Sequence, residues 1–368
     1  MKKNTILFIS VLLFFNFFCT KKENLSDLRM LDYDPHPMLV TKVTKVMKAK
    51  FPVIDVHNHL SRIVTSEEDV SKIVSIMDEC NVKAVVDLDG GFGTNLDKHL
   101  KTFLTNYPDR FIIYARIDWS KIDDPDFSEY SVKQLEEAVK RGVKGLKISK
   151  SLGLRVKEAD GSYLRVDSPK LDPIWDKCGE LNIPVEIHTS DPAAFFTPVD
   201  EHNEWLRILF DHQDWIFNKP EYYSRDELLE QRNNIIERHK NTIFIGAHVG
   251  NCPENLQQIA EWLDKYPNFY VDISARLAEL GRQPYTSRKF MIKYADRVMF
   301  GTDGYKTTPI NAAMYRSHFR FLESDDEYMD IQDSHTVVPD WRVYGLYLPD
   351  DVLEKIYYVN ANKLIYKN

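Results

Sequence analysis

Eight short runs rich in apolar and β-branched residues, separated by longer stretches with helical periodicity, constrain this chain more than any other feature of its sequence. The runs fall at 53–57, 83–88, 111–117, 142–148, 184–188, 243–248, 269–273 and 298–302. Apolar residues at helical spacing occupy 67–80, 132–140, 171–181 and 256–266, and Asn81, Gly142 and Asn182 supply turn signals where the next run begins. Eight such units around a buried parallel sheet predict one α/β domain, a (β/α)8 TIM barrel. An open doubly wound sheet is the competing arrangement, but no G-x-G-x-x-G follows the first run. Asp89-Gly90-Gly91-Phe92-Gly93 fits neither that fingerprint nor a P-loop, and reads as a flexible βα loop at the barrel mouth.

Two stretches exceed what a βα connection needs. An insertion after the fifth strand, over about 191–240, carries Phe195, Phe196, Trp205, Phe210, Trp215, Phe217, Tyr222 and Tyr223, and reads either as a packed excursion or as an active-site lid. A C-terminal extension follows the last strand, and its acidic run from Glu323 to Glu327 reads as a solvated face. At the other end, Lys2, Lys3 and the apolar stretch 6–18 have the form of a secretory leader, too short for a comfortable membrane span. Cys19 behind it resembles the acylated cysteine of a bacterial lipoprotein, although Phe18 stands where a small residue is usual. The domain plan is thus a leader over 1–18, an extension over 19–50 and the barrel over 51–368. It implies an exported protein anchored to a membrane through Cys19, in the periplasm or at the cell surface.

With Cys19 set aside, Cys80, Cys178 and Cys252 are odd in number and form no C-x-x-C, so no disulfide framework follows. The first two lie late in helical stretches and read as core residues. Cys252 falls in a loop on the active face. Lys+Arg 48 against Asp+Glu 56, a net charge of −8, leaves no broad basic surface for nucleic acid.

The chemistry begins at Asp55-Val56-His57-Asn58-His59. Side chains two apart on a strand point the same way, so His57 and His59 can converge on one ion. With 11 histidines in 368 residues a lone H-x-H is weak evidence. Three further candidates occupy the same place in the repeat: His188, His248 and Asp303 end or directly follow the fifth, sixth and eighth runs. Barrel enzymes collect their catalytic groups at those ends, so separate segments deliver imidazoles and a carboxylate to one small volume. A metal site follows.

These residues resemble the amidohydrolase superfamily, specifically the amidohydrolase-related branch that includes aminocarboxymuconate-semialdehyde decarboxylase and related hydratases and lactone hydrolases. The resemblance runs from Phe51 to Leu364 and takes in Asn360-Ala361-Asn362-Lys363-Leu364. It extends to an exported subgroup through His188-Thr189-Ser190-Asp191-Pro192, Gly246-Ala247-His248-Val249-Gly250 and Trp341-Arg342-Val343-Tyr344-Gly345-Leu346-Tyr347. It implies that His57, His59, His188 and Asp303 hold one divalent metal, with Zn²⁺ the first expectation and Mn²⁺ or Fe²⁺ the alternatives. It also implies that His248 is an acid or base beside the metal. Lys147 ends the fourth run, where binuclear members carry a carboxylated lysine. In the mononuclear branch it is expected to serve a substrate anion or to pair with a carboxylate such as Glu186. Arg276 and Arg62 suit a substrate carboxylate. Asp191, Phe195 and Phe196 follow His188 so closely that they are expected at the base of the substrate pocket, where Asp191 could orient a metal-bound histidine or a substrate hydroxyl.

The leading expectation is a hydrolase acting on a lactone, ester or amide of a small cyclic or aromatic substrate. Metal-bound water is acidified, Asp303 or His248 takes its proton, and His248 protonates the leaving group. A non-oxidative decarboxylase, or a hydratase, of an aromatic or unsaturated acid is the alternative with the same residues. A non-catalytic binding lipoprotein is the third reading, and it would have little need for His248 beside a complete ligand set.

Overall fold

The apolar runs become eight parallel strands paired in chain order. They are β1 Val53–Asn58, β2 Val82–Asp87, β3 Phe111–Ala115, β4 Gly145–Ile148, β5 Val185–Ile187, β6 Phe244–Gly246, β7 Phe269–Asp272 and β8 Val298–Met299. Val56 N–H donates to the Phe300 carbonyl at 3.0 Å and Asp303 N–H to the His57 carbonyl at 2.9 Å, so the two ends of the sheet are joined. One main helix follows each strand: α1 Glu67–Cys80, α2 Gly93–Leu104, α3 Phe127–Lys140, α4 Asp172–Glu180, α5 Arg225–Arg238, α6 Leu256–Lys265, α7 Pro284–Lys293 and α8 Ala312–Glu323. This is the TIM barrel that the alternation predicts. The computed structural model describes residues 25–29, 32–33, 35–307, 309–334 and 339–366; the leader and Cys19 lie outside the described residues. Cα packing separates Met1–Val40 from Thr41–Asn368. In the first unit a 3₁₀ turn, Leu25–Asp27, precedes an exposed Arg29–Asp32 ion pair. No helix among the described residues is long and apolar enough to cross a membrane.

Alternation along the strands sorts side chains into two cores. Val53, Val85, Ile113, Leu146 and Val185 belong to the layer between sheet and helices. Ile54, Val56, Ala84, Val86, Ile112, Tyr114, Ile245 and Met299 fill the barrel, where Ala361, Leu364 and Ile365 of the C-terminal segment join them as a plug. Helix α1 starts at a Ser66–Asp69 capping box and stops at Asn81, whose φ of 63° ends the turn before β2. Cys80 and Cys178 are buried free thiols, in keeping with their reading as core residues, and Cys252 is buried and free as well.

The sequence and the structure differ in three places. Glycines 91 and 93 do take positive φ, but α2 already begins at Gly93, so the flexible loop is short. The acidic run is no simple solvated face. Asp326 is buried and accepts from Thr44 N–H at 2.6 Å, Thr44 hydroxyl at 2.7 Å and Arg320 Nε at 2.7 Å, while Lys42 pairs with Asp325 at 2.7 Å. These carboxylates bind the irregular lead-in to β1, whose donors Lys42 and Thr44 lie far away in sequence. Finally, the two decorations meet: Trp205 of the insertion packs edge-on against Trp341 of the extension, ring centres 5.0 Å apart, and Arg207 pairs with Asp340 at 3.2 Å.

Inside the barrel, the Tyr114 ring lies flat over Gly145 of the neighbouring strand, and a Cβ there would collide with the ring. Both residues are in the tightly packed interior, where the ring has no room to retreat. Gly145→Ala is expected to cost about 1–3 kcal/mol and to lower the melting temperature by several degrees. A thermal melt that matches the wild type would show that the ring can move.

Candidate metal centre

The site is built where the strands end. Between Asp55 and Asn58, β1 carries an extra residue against β2, a register slip. Asp55 reaches Thr302 Oγ1 at 2.6 Å and the Tyr315 hydroxyl of α8 at 3.0 Å. His57, two residues on, faces Asp272 inside the barrel instead. An unbroken strand would have put both on one face, so the slip turns His57 inward. β1 then stops at Asn58, and His59 takes φ −122° and ψ 77° ahead of a 3₁₀ turn. The convergence of the two histidines is thus made by an irregularity and a turn as much as by alternation.

Their geometry suits a cation. His57 Nε2 and His59 Nε2 each lie 3.6 Å from Asp303 Oδ1, and one ligand atom from each of the three residues lies within 4.8 Å of the others. Metal–ligand bonds of about 2.0–2.2 Å give ligand separations of roughly 3.3–3.6 Å around a tetrahedron. Each imidazole is held from behind. His57 Nδ1 is 3.0 Å from Asp272 Oδ2, and His59 Nδ1 is 2.8 Å from Asp89 Oδ1. A carboxylate only accepts, so both Nδ1 atoms carry the hydrogen and both Nε2 lone pairs face Asp303. Asp89 also takes Arg116 Nη2 at 2.5 Å and the Ser61 hydroxyl at 2.6 Å.

His248 and His188 form the other side. His248 Nδ1 donates to the Ser274 carbonyl at 2.9 Å, which leaves its Nε2 as the basic nitrogen, 3.3 Å from His188 Nδ1. His188 Nε2 in turn faces Asp191 Oδ1 at 3.4 Å. The His57 and His248 rings are 4.8 Å apart, so the two sides adjoin. His188 lies against His248 rather than within the tight trio of His57, His59 and Asp303. Six non-glycine residues here hold left-handed backbone: Ser190 at φ 75°, His248 at 57°, Val249 at 58°, Asn251 at 54°, Ala275 at 53° and Asp303 at 63°. At least one follows each of β5 to β8, and three follow β6. Such conformations cost on the order of 1–3 kcal/mol each, and here they turn the chain sharply at the mouth.

Burial sets the electrostatics. It pushes His57 and His248 below the ordinary histidine range, with Lys147 adding to the effect on His57 and His188 and Arg276 to that on His248. It pushes His188 down to about 4 against the pull of Asp191. Burial would raise Asp191, but Lys150 and His188 hold it at about 2. Lys147 sits beneath the histidines, 2% exposed, with Nζ 3.3 Å from His57 Nε2. Burial lowers its affinity for a proton, and Glu186 on the adjoining strand opposes that shift. Glu186 is itself raised, first by burial and then by Asp272.

The remaining predicted residues scatter. Arg276 starts the turn after β7, with Nη1 on the Ala275 carbonyl at 2.7 Å. Phe195 is buried in the insertion between Trp205 and Trp215, and Phe196 packs on Phe217. The side chain of Arg62 lies outside the described residues. Sequence reasoning missed Asp272, Ser274, Asp89 and Arg116. Asp89 follows a predicted run, the same signal that picked out Asp303, whereas Asp272 falls one residue inside the end of its run.

A barrel with imidazoles and a carboxylate at its strand ends defines a class of metal-dependent enzymes. The family model described as Amidohydrolase matches residues 54–365, and the chain belongs to that family. Solved structures extend the comparison. A 2,6-dihydroxybenzoate decarboxylase complexed with 2,6-dihydroxybenzoate is 17% identical, covers 86% of this chain and 99% of its own, and superposes with a TM-score of 0.53. A dihydroxybenzoic acid decarboxylase from Polaromonas sp. JS666, with manganese and 2-nitroresorcinol bound, is 16% identical over 86% and 97% of the two chains, TM-score 0.54. A probable 2-pyrone-4,6-dicarboxylic acid hydrolase from Acinetobacter baumannii with citric acid bound is 14% identical over 86% and 100%, TM-score 0.50. At these identities the likeness is one of fold. A search of the curated proteins finds no match.

The His188 shift has a measurable consequence. Its pKa falls from 6.5 to about 4 on folding, so between those values the unfolded chain takes up a proton that the folded chain refuses. Stability therefore drops as pH falls through that window. In chelator, denaturant melts of the wild type should lose stability more steeply from pH 6.5 toward 4 than those of His188→Gln, and equal slopes would contradict the shift.

Proposed function

We propose that the protein is a metal-dependent hydrolase acting on a lactone, ester or amide bond of a small cyclic or aromatic substrate. The observation that carries this reading is the pair of Nε2 atoms, each fixed by a carboxylate at Nδ1 and each 3.6 Å from Asp303. His57, His59, His188 and Asp303 would hold the ion, with Zn²⁺ favoured by the neutral imidazoles. A bound divalent ion supplies Lewis acidity toward a water and toward the carbonyl it attacks. The chain's own residues do the rest. Asp303 or His248 would take the proton of the attacking water, and that proton, held at or passed on to His248, is the one the leaving group receives. His248 keeps Nδ1 committed to the Ser274 carbonyl, so proton transfer to the leaving group falls to Nε2. Arg276 and Lys147 lend positive charge on the His248 and His57 sides, which suits an anionic substrate.

The same two cations favour one second reading, non-oxidative decarboxylation of an aromatic or unsaturated acid. The Polaromonas relative is named for such a reaction and binds manganese, which makes Mn²⁺ the first alternative ion here. A panel of lactones, esters and aromatic acids, assayed for acid release and for CO₂ release, separates the two.

For the site itself, His57→Ala, His59→Ala and His188→Ala should each lose the metal by elemental analysis; full occupancy in all three would end the assignment. His248→Asn should keep the metal and lower turnover by about 10² or more, the usual scale for a general acid or base. Loss of the metal in that variant would make His248 a ligand. We also propose export and acylation at Cys19, on the strength of the leader composition. Cys19→Ser should move the chain from membrane to soluble fractions, and a lipid-labelled chain persisting in that variant would defeat the proposal.

A further inference from the structure

Lys150, just beyond β4, is tied to two parts of the molecule at once. Its ammonium lies 2.6 Å from Asp191 Oδ2. It also sits 4.9 Å from the centre of the Trp215 ring and 5.9 Å from that of Phe217, both in the insertion after β5. The other oxygen of Asp191 faces His188 Nε2 at 3.4 Å. Trp215 is set by its own neighbours, stacking on Phe195 at 5.8 Å and on His212 at 4.1 Å. Phe217 is pinned by its N–H on the Phe195 carbonyl at 2.8 Å. A continuous path thus runs from the aromatic core of the insertion to Lys150, then Asp191, then His188.

Resting on the metal-centre reading, we propose that Lys150 is a positioning residue through which the insertion after β5 sets the metal affinity of the site. Asp191 is buried, and its two oxygens are divided between Lys150 and His188. By accepting at Nε2 it fixes the His188 tautomer and aims Nδ1 into the site. A carboxylate in that place holds one orientation only while its cation holds one. An ammonium on a four-carbon stem is mobile, and the faces of Trp215 and Phe217 restrain it by cation–π attraction. Removing the ammonium leaves a buried, uncompensated carboxylate beside His188, free to rotate or to draw in water. Removing Trp215 keeps the ion pair but frees Lys150 to swing. The aromatic residues of the insertion therefore act on the metal site from a distance, without touching the ion.

The test is chelator-competition titration of the metal-stripped full chain with Zn²⁺. Lys150→Met should weaken Zn²⁺ binding about 10- to 100-fold, the range seen when a group that orients a ligand is removed. Trp215→Leu should weaken it several-fold, and Lys150→Arg should recover most of the loss. Metal-free Lys150→Met should melt below the metal-free wild type, because the buried Asp191 carboxylate loses its cation; Trp215→Leu keeps that ion pair, so its loss of affinity is the readout that a purely structural lysine would not produce. Wild-type affinity in a folded Lys150→Met overturns the role of Lys150. Should that variant fail to fold, wild-type affinity in Trp215→Leu overturns the coupling to the insertion. A wild-type chain that binds no Zn²⁺, Mn²⁺ or Fe²⁺ overturns the metal-centre reading itself, and the inference with it.

Discussion

The carboxylate of Asp272 holds the mouth of the barrel together. Its Oδ2 takes His57 Nδ1 at 3.0 Å, and its Oδ1 takes the backbone N–H of Ser274 at 2.8 Å, that of His248 at 3.2 Å and the Ser274 hydroxyl. Burial works against its charge, but His57 first, then Glu186 and His248, hold its pKa well below the carboxylate range. One ion thereby fixes the tautomer of a proposed ligand, the turn that carries the proposed proton shuttle, and the loop after β7. Desolvating such a group costs several kcal/mol, and only a full set of donors offsets it. The three strands β1, β6 and β7 are thus locked at their ends by electrostatics rather than by apolar packing.

This arrangement explains what could be read from the sequence. Strand identity and order were legible because each β run is short, apolar and followed by a stretch of different period, a contrast that survives in a single sequence. His57, His59, His188, His248 and Asp303 were legible because a polar residue ending an apolar run is out of place there. Asp272 lies one residue inside its predicted run, and nothing in Val271-Asp272-Ile273-Ser274 distinguishes a carboxylate that orients a histidine from one that caps a loop. The register slip in β1 and the left-handed turns after β5 to β8 have no signal in residue type. His248 and Asp303 occupy the left-handed region, which His and Asp enter more readily than most residues but rarely enough that their presence does not announce it. The acidic run misled because its partners, Thr44 and Lys42, are remote in sequence, and local charge patterning is blind to them.

Beneath the histidines the barrel carries a buried polar layer. Lys147, Glu186 and Tyr114 lie on neighbouring strands, all buried, with Glu186 Oε1 3.6 Å from His57 Nδ1 and no hydrogen-bond partner for the Tyr114 hydroxyl among the described residues. Burial lowers the proton affinity of Lys147 and raises that of Glu186. The proton count of this floor is therefore linked to the charge above it, and a dication at the histidines would bear on both groups at once. Burying such groups costs free energy that an apolar layer would not.

The plug made by Ala361, Leu364 and Ile365 has a consequence for how the barrel is closed. Those residues pack into the interior core that begins with Ile54 and Val56, so part of that interior is sealed by side chains that no strand supplies. Eight strands can pair in full and still leave this core open to solvent. The seal depends on a helical segment reaching back to β1 from the opposite end of the sequence.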